Sequence, residues 1–162
     1  MVLESQQVCA PSPFTHILVP ADGTESSINA GRLAIRIAAG HKIPITFLYV
    51  VDQSAAEEIA GASRKSVDAV CQQLENKAHS YLDYLSRMAS NRGIQAEKII
   101  RRGVPYREIS DLAREEQVDL IVIGRVGGMG TQQLARIGAV AERVIEYAPC
   151  PVLTVRYRPR RR

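Results

Sequence analysis

An open parallel α/β sheet with helices on both faces is the fold class this sequence predicts, and two observations predict it. Short aliphatic runs alternate five times with stretches of helical period. The connections between runs are also long enough to hold helices, which parallel strands require and hairpins do not. At 162 residues, 46% hydrophobic and 23% charged, the chain has the size and composition of one globular domain with its own core.

The first run, Thr15 to Pro20, is apolar without alternation, as in a strand covered on both faces. The turn-forming segment Ala21-Asp22-Gly23-Thr24-Glu25-Ser26-Ser27 follows, with Thr24 or Ser26 available to cap a helix. That helix carries Ala30, Leu33, Ala34, Ile37 and Ala38 on one face, and Gly40 ends it. Ile43 to Val51 predicts the second strand. Asp52 to Ser63 has no clear period and reads as a loop. From Arg64 to about Arg92, Val67, Val70, Leu74, Ala78, Tyr81, Leu85 and Met88 step by three or four. Such a helix would exceed roughly 40 Å, so a bend or a late start is expected. Gln95 to Arg101 is more alternating and polar, which suits an edge strand. Pro105 then opens a helix whose apolar face holds Ile109, Leu112 and Ala113. Val118 to Gly124 and Pro151 to Tyr157 predict the fourth and fifth strands, separated by a glycine-bearing loop and the helical AVAERVIEYA.

Charge and cysteines narrow the function classes. The formal charge is +4, and five arginines crowd the last seven residues, so residues 15–157 form a nearly neutral domain ahead of a basic tail at 158–162. The tail could hold phosphates by charge, but no aromatic platform accompanies it, which argues against nucleic acid and for a solvated tail. Residues 1–14 read as a flexible leader. No run reaches the roughly 18 apolar residues of a membrane span. Cys9, Cys71 and Cys150 have no metal-like spacing and form no C-x-x-C pair, which suggests a cytoplasmic location. Cys150, between two prolines, reads as a small buried apolar group. His16, His41 and His79 neighbour no nucleophile and read as surface or structural residues.

In such a sheet, ligands bind beyond the carboxyl ends of the strands. Three segments arrive there: Pro20-Ala21-Asp22, Val50-Val51-Asp52, and the loop with Gly124, Gly127, Gly128 and Gly130. Glycines let amides approach phosphate oxygens, and a helix N-terminus adds about half a positive charge. Asp22 could accept hydrogen bonds from an adenine amine or a ribose, and the backbone of Val50 and Val51 could read a base edge. Alternatively the glycine segment is only a turn. No P-loop is present, and the dinucleotide fingerprint fails because Gln133 stands where its third glycine belongs. Asp22 and Asp52 are weak evidence for a metal site, so no resident metal and no catalytic residue is predicted.

The segments ILVPADGT, GVPYREISDLAREEQVDLIVIGRVG and GAVAERVIEYAPCPVLTVR, in that order, resemble the universal stress protein family from Thr15 to Arg156. The resemblance implies a Rossmann-like open five-stranded parallel sheet in the order 3-2-1-4-5. It also implies a homodimer paired through the fifth strand, Pro151 to Tyr157, and a cytoplasmic role in stress response. Some members bind ATP or AMP through G-x2-G-x9-G-[ST], with Mg2+ accompanying the phosphates; others bind no nucleotide and serve as dimerisation or interaction modules. Carried over by motif, Asp22, Val51 (or Val50), Gly124, Gly127 and Gly138 would contact the nucleotide, and Pro20, Ala21, Ile123 and Val140 would line its pocket. Two departures stand out. Ten residues separate Gly127 from Gly138; counting from Gly128 gives nine but displaces Gly124. Ala139 replaces the phosphate-binding hydroxyl, leaving the amides of Gly138, Ala139 and Val140, with Arg125, Thr131 or Arg136 as possible substitutes. The function expected is adenine-nucleotide binding or sensing, with at most slow ATP hydrolysis.

Overall fold

The computed structural model describes residues 11–125 and 137–156. Five parallel strands, β1 (Ile17–Pro20), β2 (Ile45–Asp52), β3 (Ala96–Gly103), β4 (Leu120–Gly124) and β5 (Val152–Val155), form one sheet in the order β3-β2-β1-β4-β5. Five helices connect or flank them: α1 (Glu25–Ala39), α2 (Gln53–Ser63), α3 (Val67–Ser90), α4 (Pro105–Glu115) and α5 (Ala139–Tyr147).

Strand residues alternate between two cores. Ile17, Val19, Ile45, Phe47, Leu120 and Val122 face α1 and α3, where Ala30, Ala34 and Ala38 admit Leu82 and Leu85 at close range. Leu18, Leu48, Ile121 and Ile123 face α4 and α5, meeting Ile109, Leu112 and Val144. Both faces are covered, which is why the central strands read as apolar without alternation. Each fully buried aliphatic or aromatic side chain here stabilises the fold by about 1.5–3 kcal/mol.

The caps explain the helix boundaries. Thr24 accepts from the Ser27 amide at 3.2 Å and starts α1. Gly40 follows α1 in the right-handed region, φ −64°, and the left-handed turn falls instead on Lys42, φ 52°. The late start expected for the long helix occurs at Val67, because Arg64 turns left-handed at φ 56° and Ser66 caps the Ala69 amide. The largest correction concerns residues 52–63, expected as a loop. Asp52 ends β2 and residues 53–63 form α2, capped by the Asp52 carboxylate, which accepts from Ser54 at 3.0 Å and Ala55 at 3.4 Å.

β3 is an edge strand, as its polarity suggested, and its cations are held down on both sides. Lys98 pairs with Asp83 and Arg102 with Glu75, each at 2.6 Å, against α3, while Arg101 pairs with Glu115 and Glu108 of α4. At the end of the sheet where strands begin, the Asp119 carboxylate accepts from the Thr15 amide and hydroxyl, both at 2.7 Å, and from the His16 amide at 3.0 Å. Those bonds keep Thr15 and His16 out of β1. The His16 ring lies 2.9 Å from the Thr46 hydroxyl, which donates to Glu116 at 2.9 Å, a structural setting for this histidine. Cys150 is half-buried rather than enclosed, and its burial pushes the thiol above its ordinary range. No helix among the described residues is long and apolar enough to cross a membrane. The leader up to residue 10 and the tail from residue 157 lie outside the described residues.

Candidate functional site

A cleft of about 600 Å³ opens above the carboxyl ends of β1, β2 and β4, where the sheet order reverses. Its first wall grows out of β1. The Ala21 amide donates to the Leu48 carbonyl at 2.8 Å and carries the ladder one residue past Pro20. The chain then turns sharply: Asp22 Oδ1 accepts from the Thr24 amide at 2.9 Å and its hydroxyl at 2.6 Å. Asp22 Oδ2 is left without a protein partner among the described residues. The turn needs a glycine twice over, since Gly23 has φ 81° and a Cβ there would lie 2.2 Å from the Tyr81 ring.

The second wall is the end of β2. Tyr49, Val50 and Val51 line the cleft, Val51 being buried. Burial pushes the Tyr49 phenol above its ordinary range, and the nearby charges of Asp22 and Tyr81 add to this. Asp52 also reaches the cleft, but its Oδ1 is spent on capping α2, which weakens the idea of an Asp22/Asp52 metal pair. Among the described residues no group of three His, Cys, Asp or Glu side chains could hold a metal.

The third wall joins β4 to α5. Ile123, Gly124 and Arg125 line it together with Gly138, Ala139 and Val140. Gly124 has a structural reason to be glycine that the sequence reading did not foresee. A Cβ there would lie 2.8 Å from the Ser26 carbonyl carbon and 2.9 Å from the Ser27 nitrogen, so it allows α1 to dock against β4. The Arg125 carbonyl accepts from Gly138 at 2.7 Å, which brings β4 and the start of α5 side by side. Gly138 is the N-cap of α5, and no side chain among the described residues caps that end. The first-turn amides therefore lack intrahelical acceptors and sit at the positive pole of the helix, and Arg125 lines the same cleft.

Of the residues singled out from sequence, Pro20, Ala21, Asp22, Val50, Val51, Ile123, Gly124, Arg125, Gly138, Ala139 and Val140 all line this one cleft. Gly127, Gly128, Thr131 and Arg136 lie outside the described residues. The sequence reading missed a fourth wall. Ala55 and Ile59 of α2, with Leu74 of α3, close the side opposite β4, and Pro105 and Ile109 of α4 add apolar surface. Asp52 as a cap ahead of Ala-Ala-Glu-Glu was the signal that could have revealed α2. Chemically, the cleft offers apolar surface, a carboxylate oxygen open among the described residues, helix-terminal amides and a lining arginine.

A family model described as the universal stress protein family matches residues 13–156. A universal stress protein of Methanocaldococcus jannaschii is 33% identical over 143 residues, covering 88% of this chain and 82% of that protein. The solved structure of universal stress protein UspA from Lactobacillus plantarum is 27% identical with a TM-score of 0.70, covering 90% of this chain and 100% of that one. The universal stress protein from Archaeoglobus fulgidus, solved in complex with dAMP, shares the fold at 22% identity and a TM-score of 0.62, covering 87% of this chain and 97% of that one.

Proposed function

The chain belongs to the universal stress protein family, and from that premise we propose that it binds an adenine nucleotide in the cleft above β1, β2 and β4. The observation that carries the reading is the pairing of two unsatisfied features across one cavity of nucleotide size. Asp22 Oδ2 offers an acceptor at one end, and the uncapped first turn of α5 offers amide donors at the other. In this reading Asp22 takes a ribose hydroxyl or the adenine amine, and backbone at Val50 or Val51 meets the base edge. The amides of Ala139 and Val140, with Arg125, hold phosphate. By motif, Gly127 and Gly128 are assigned to the phosphates as well, and Mg2+ arrives with the phosphates of ATP. The dAMP complex of the Archaeoglobus protein is in keeping with this.

The protein holds or senses the nucleotide rather than turning it over, acting in the cytoplasm as a homodimeric stress-response module. One oxygen of each cleft carboxylate is committed to structure, Asp22 Oδ1 to its turn and Asp52 Oδ1 to its cap. Calorimetric titration with AMP, ADP and ATP at low salt tests the reading. Saturable heat is expected, and no heat up to millimolar nucleotide would overturn it.

One observation favours a second reading, a nucleotide-free dimerisation module. Leu153 on the edge strand β5 and Ile145 on α5 are large apolar residues left 38% and 46% exposed. A bare apolar edge is a liability unless a second copy covers it. A monomer at micromolar concentration in sedimentation would dispose of the dimer through residues 151–157.

A further inference from the structure

We propose that α2 is a lid on the cleft and that Ile59 is a ligand-contacting residue, closing with Leu74 on the apolar ring system of the bound molecule. The inference rests on the nucleotide reading above and assigns that ligand a contact from an element the family signature does not include.

Three features of α2 carry it. The helix is lightly anchored. Its buried residues are Ala56 and Ala60, which meet Val51, Val70 and Cys71 in a small cluster separate from the two main cores. Its own side-chain hydrogen bonds are internal, Gln53 to Glu57 and Ser63 to the Ile59 carbonyl, and beyond them its first turn is capped only by the adjoining Asp52 of β2. Among the described residues no ion pair ties it to another element.

Its ends are shaped for movement. The helix begins at a cap made by the last residue of β2 and ends at Arg64, a non-glycine residue in the left-handed region at φ 56°. Both are short joints, at which a small change in backbone angle swings the whole helix.

Its largest apolar side chain is in the wrong place for stability. Ile59 is 45% exposed, yet it lines the cleft together with Ala55 and, from α3, Leu74. An isoleucine at a cavity wall contributes little to the empty protein and gains burial once a flat apolar ring fills the space beside it. The α5 side of the cleft supplies helix-terminal amides for an anion, so the apolar side is where a base belongs.

Cys71 makes the motion measurable. It is 4% exposed and shares a cluster with Ala56 and Ala60 of α2, so lifting α2 uncovers it. In a chain carrying Cys9→Ser and Cys150→Ser, saturating AMP is expected to slow labelling of Cys71 by a disulfide reagent about tenfold or more. Ile59→Ala is expected to weaken AMP and adenosine by the same factor, about fivefold, because the lost contact is to the ring and not the phosphate. Its ligand-free thermal midpoint should match the parent's. With AMP binding to the parent established by calorimetry, unchanged affinity in Ile59→Ala overturns the proposal, and so does unchanged Cys71 labelling. No AMP heat from the parent overturns the nucleotide reading first and this contact with it.

Discussion

The two ends of the sheet are built to opposite rules. Where the strands begin, polar side chains answer one another: Asp119 takes three hydrogen bonds from Thr15 and His16, and Thr46 sits between His16 and Glu116. Where they finish, among the described residues, Asp22 keeps one oxygen open and α5 begins without a side-chain cap. Satisfied groups make the lower end a fastener. Unsatisfied groups suit the upper end to the proposed ligand, which would supply what the protein withholds.

The contrast can be broken most severely at Gly124, where the upper end carries structure as well as site. Gly124→Ala forces a methyl onto the backbone of Ser26 and Ser27, and a loss of about 3 kcal/mol in denaturant unfolding is expected, with nucleotide heat abolished. Asp119→Ala should cost about 2 kcal/mol while leaving nucleotide affinity unchanged; a fall in affinity would mean that the two ends are not separable. Asp22→Asn tests the reverse. It keeps the turn's acceptor, so stability should hold while affinity drops about tenfold in calorimetry. Ala139→Ser restores a hydroxyl at the first turn of α5, and a gain of about threefold for AMP is expected.

The smallest effect is in acid. Partial burial works against the charged Asp119, but the hydrogen bonds from Thr15 and His16 outweigh it and hold the carboxyl below its ordinary range. A depressed native value stabilises the fold above the unfolded value of about 3.9 and is lost as pH falls through the native one. The stability gap between the parent and Asp119→Ala should therefore shrink below about pH 3.9 in acid unfolding curves.

The lower end and the two cores were the easier part to read from sequence. Ile17-Leu18-Val19 and Ile121-Val122-Ile123 owe their uniform apolarity to burial on both faces, and that pattern is local. The cleft was read in part. Asp22, Val51 and Gly138 stand out because turn residues and glycines follow strands, but Ile59 and Leu74 look like any helical apolar positions until tertiary packing turns them to the cavity. α2 was hidden because alanines and glutamates carry helix propensity without an apolar stripe, so periodicity had nothing to detect. Gly124 shows the opposite hazard. A glycine that suits a phosphate loop is here required by the approach of α1, a contact from about a hundred residues earlier in the chain.

The charged clips on β3 bear on how copies of this protein can assemble. Lys98, Arg101 and Arg102, each tied to a helix, blunt that edge against another strand. Sheet growth is then left with β5 alone, and a two-fold pairing there consumes the available edge in both copies. In the proposed dimer, continuation into a filament would have no second edge to use, and association through the sheet would stop at a closed pair.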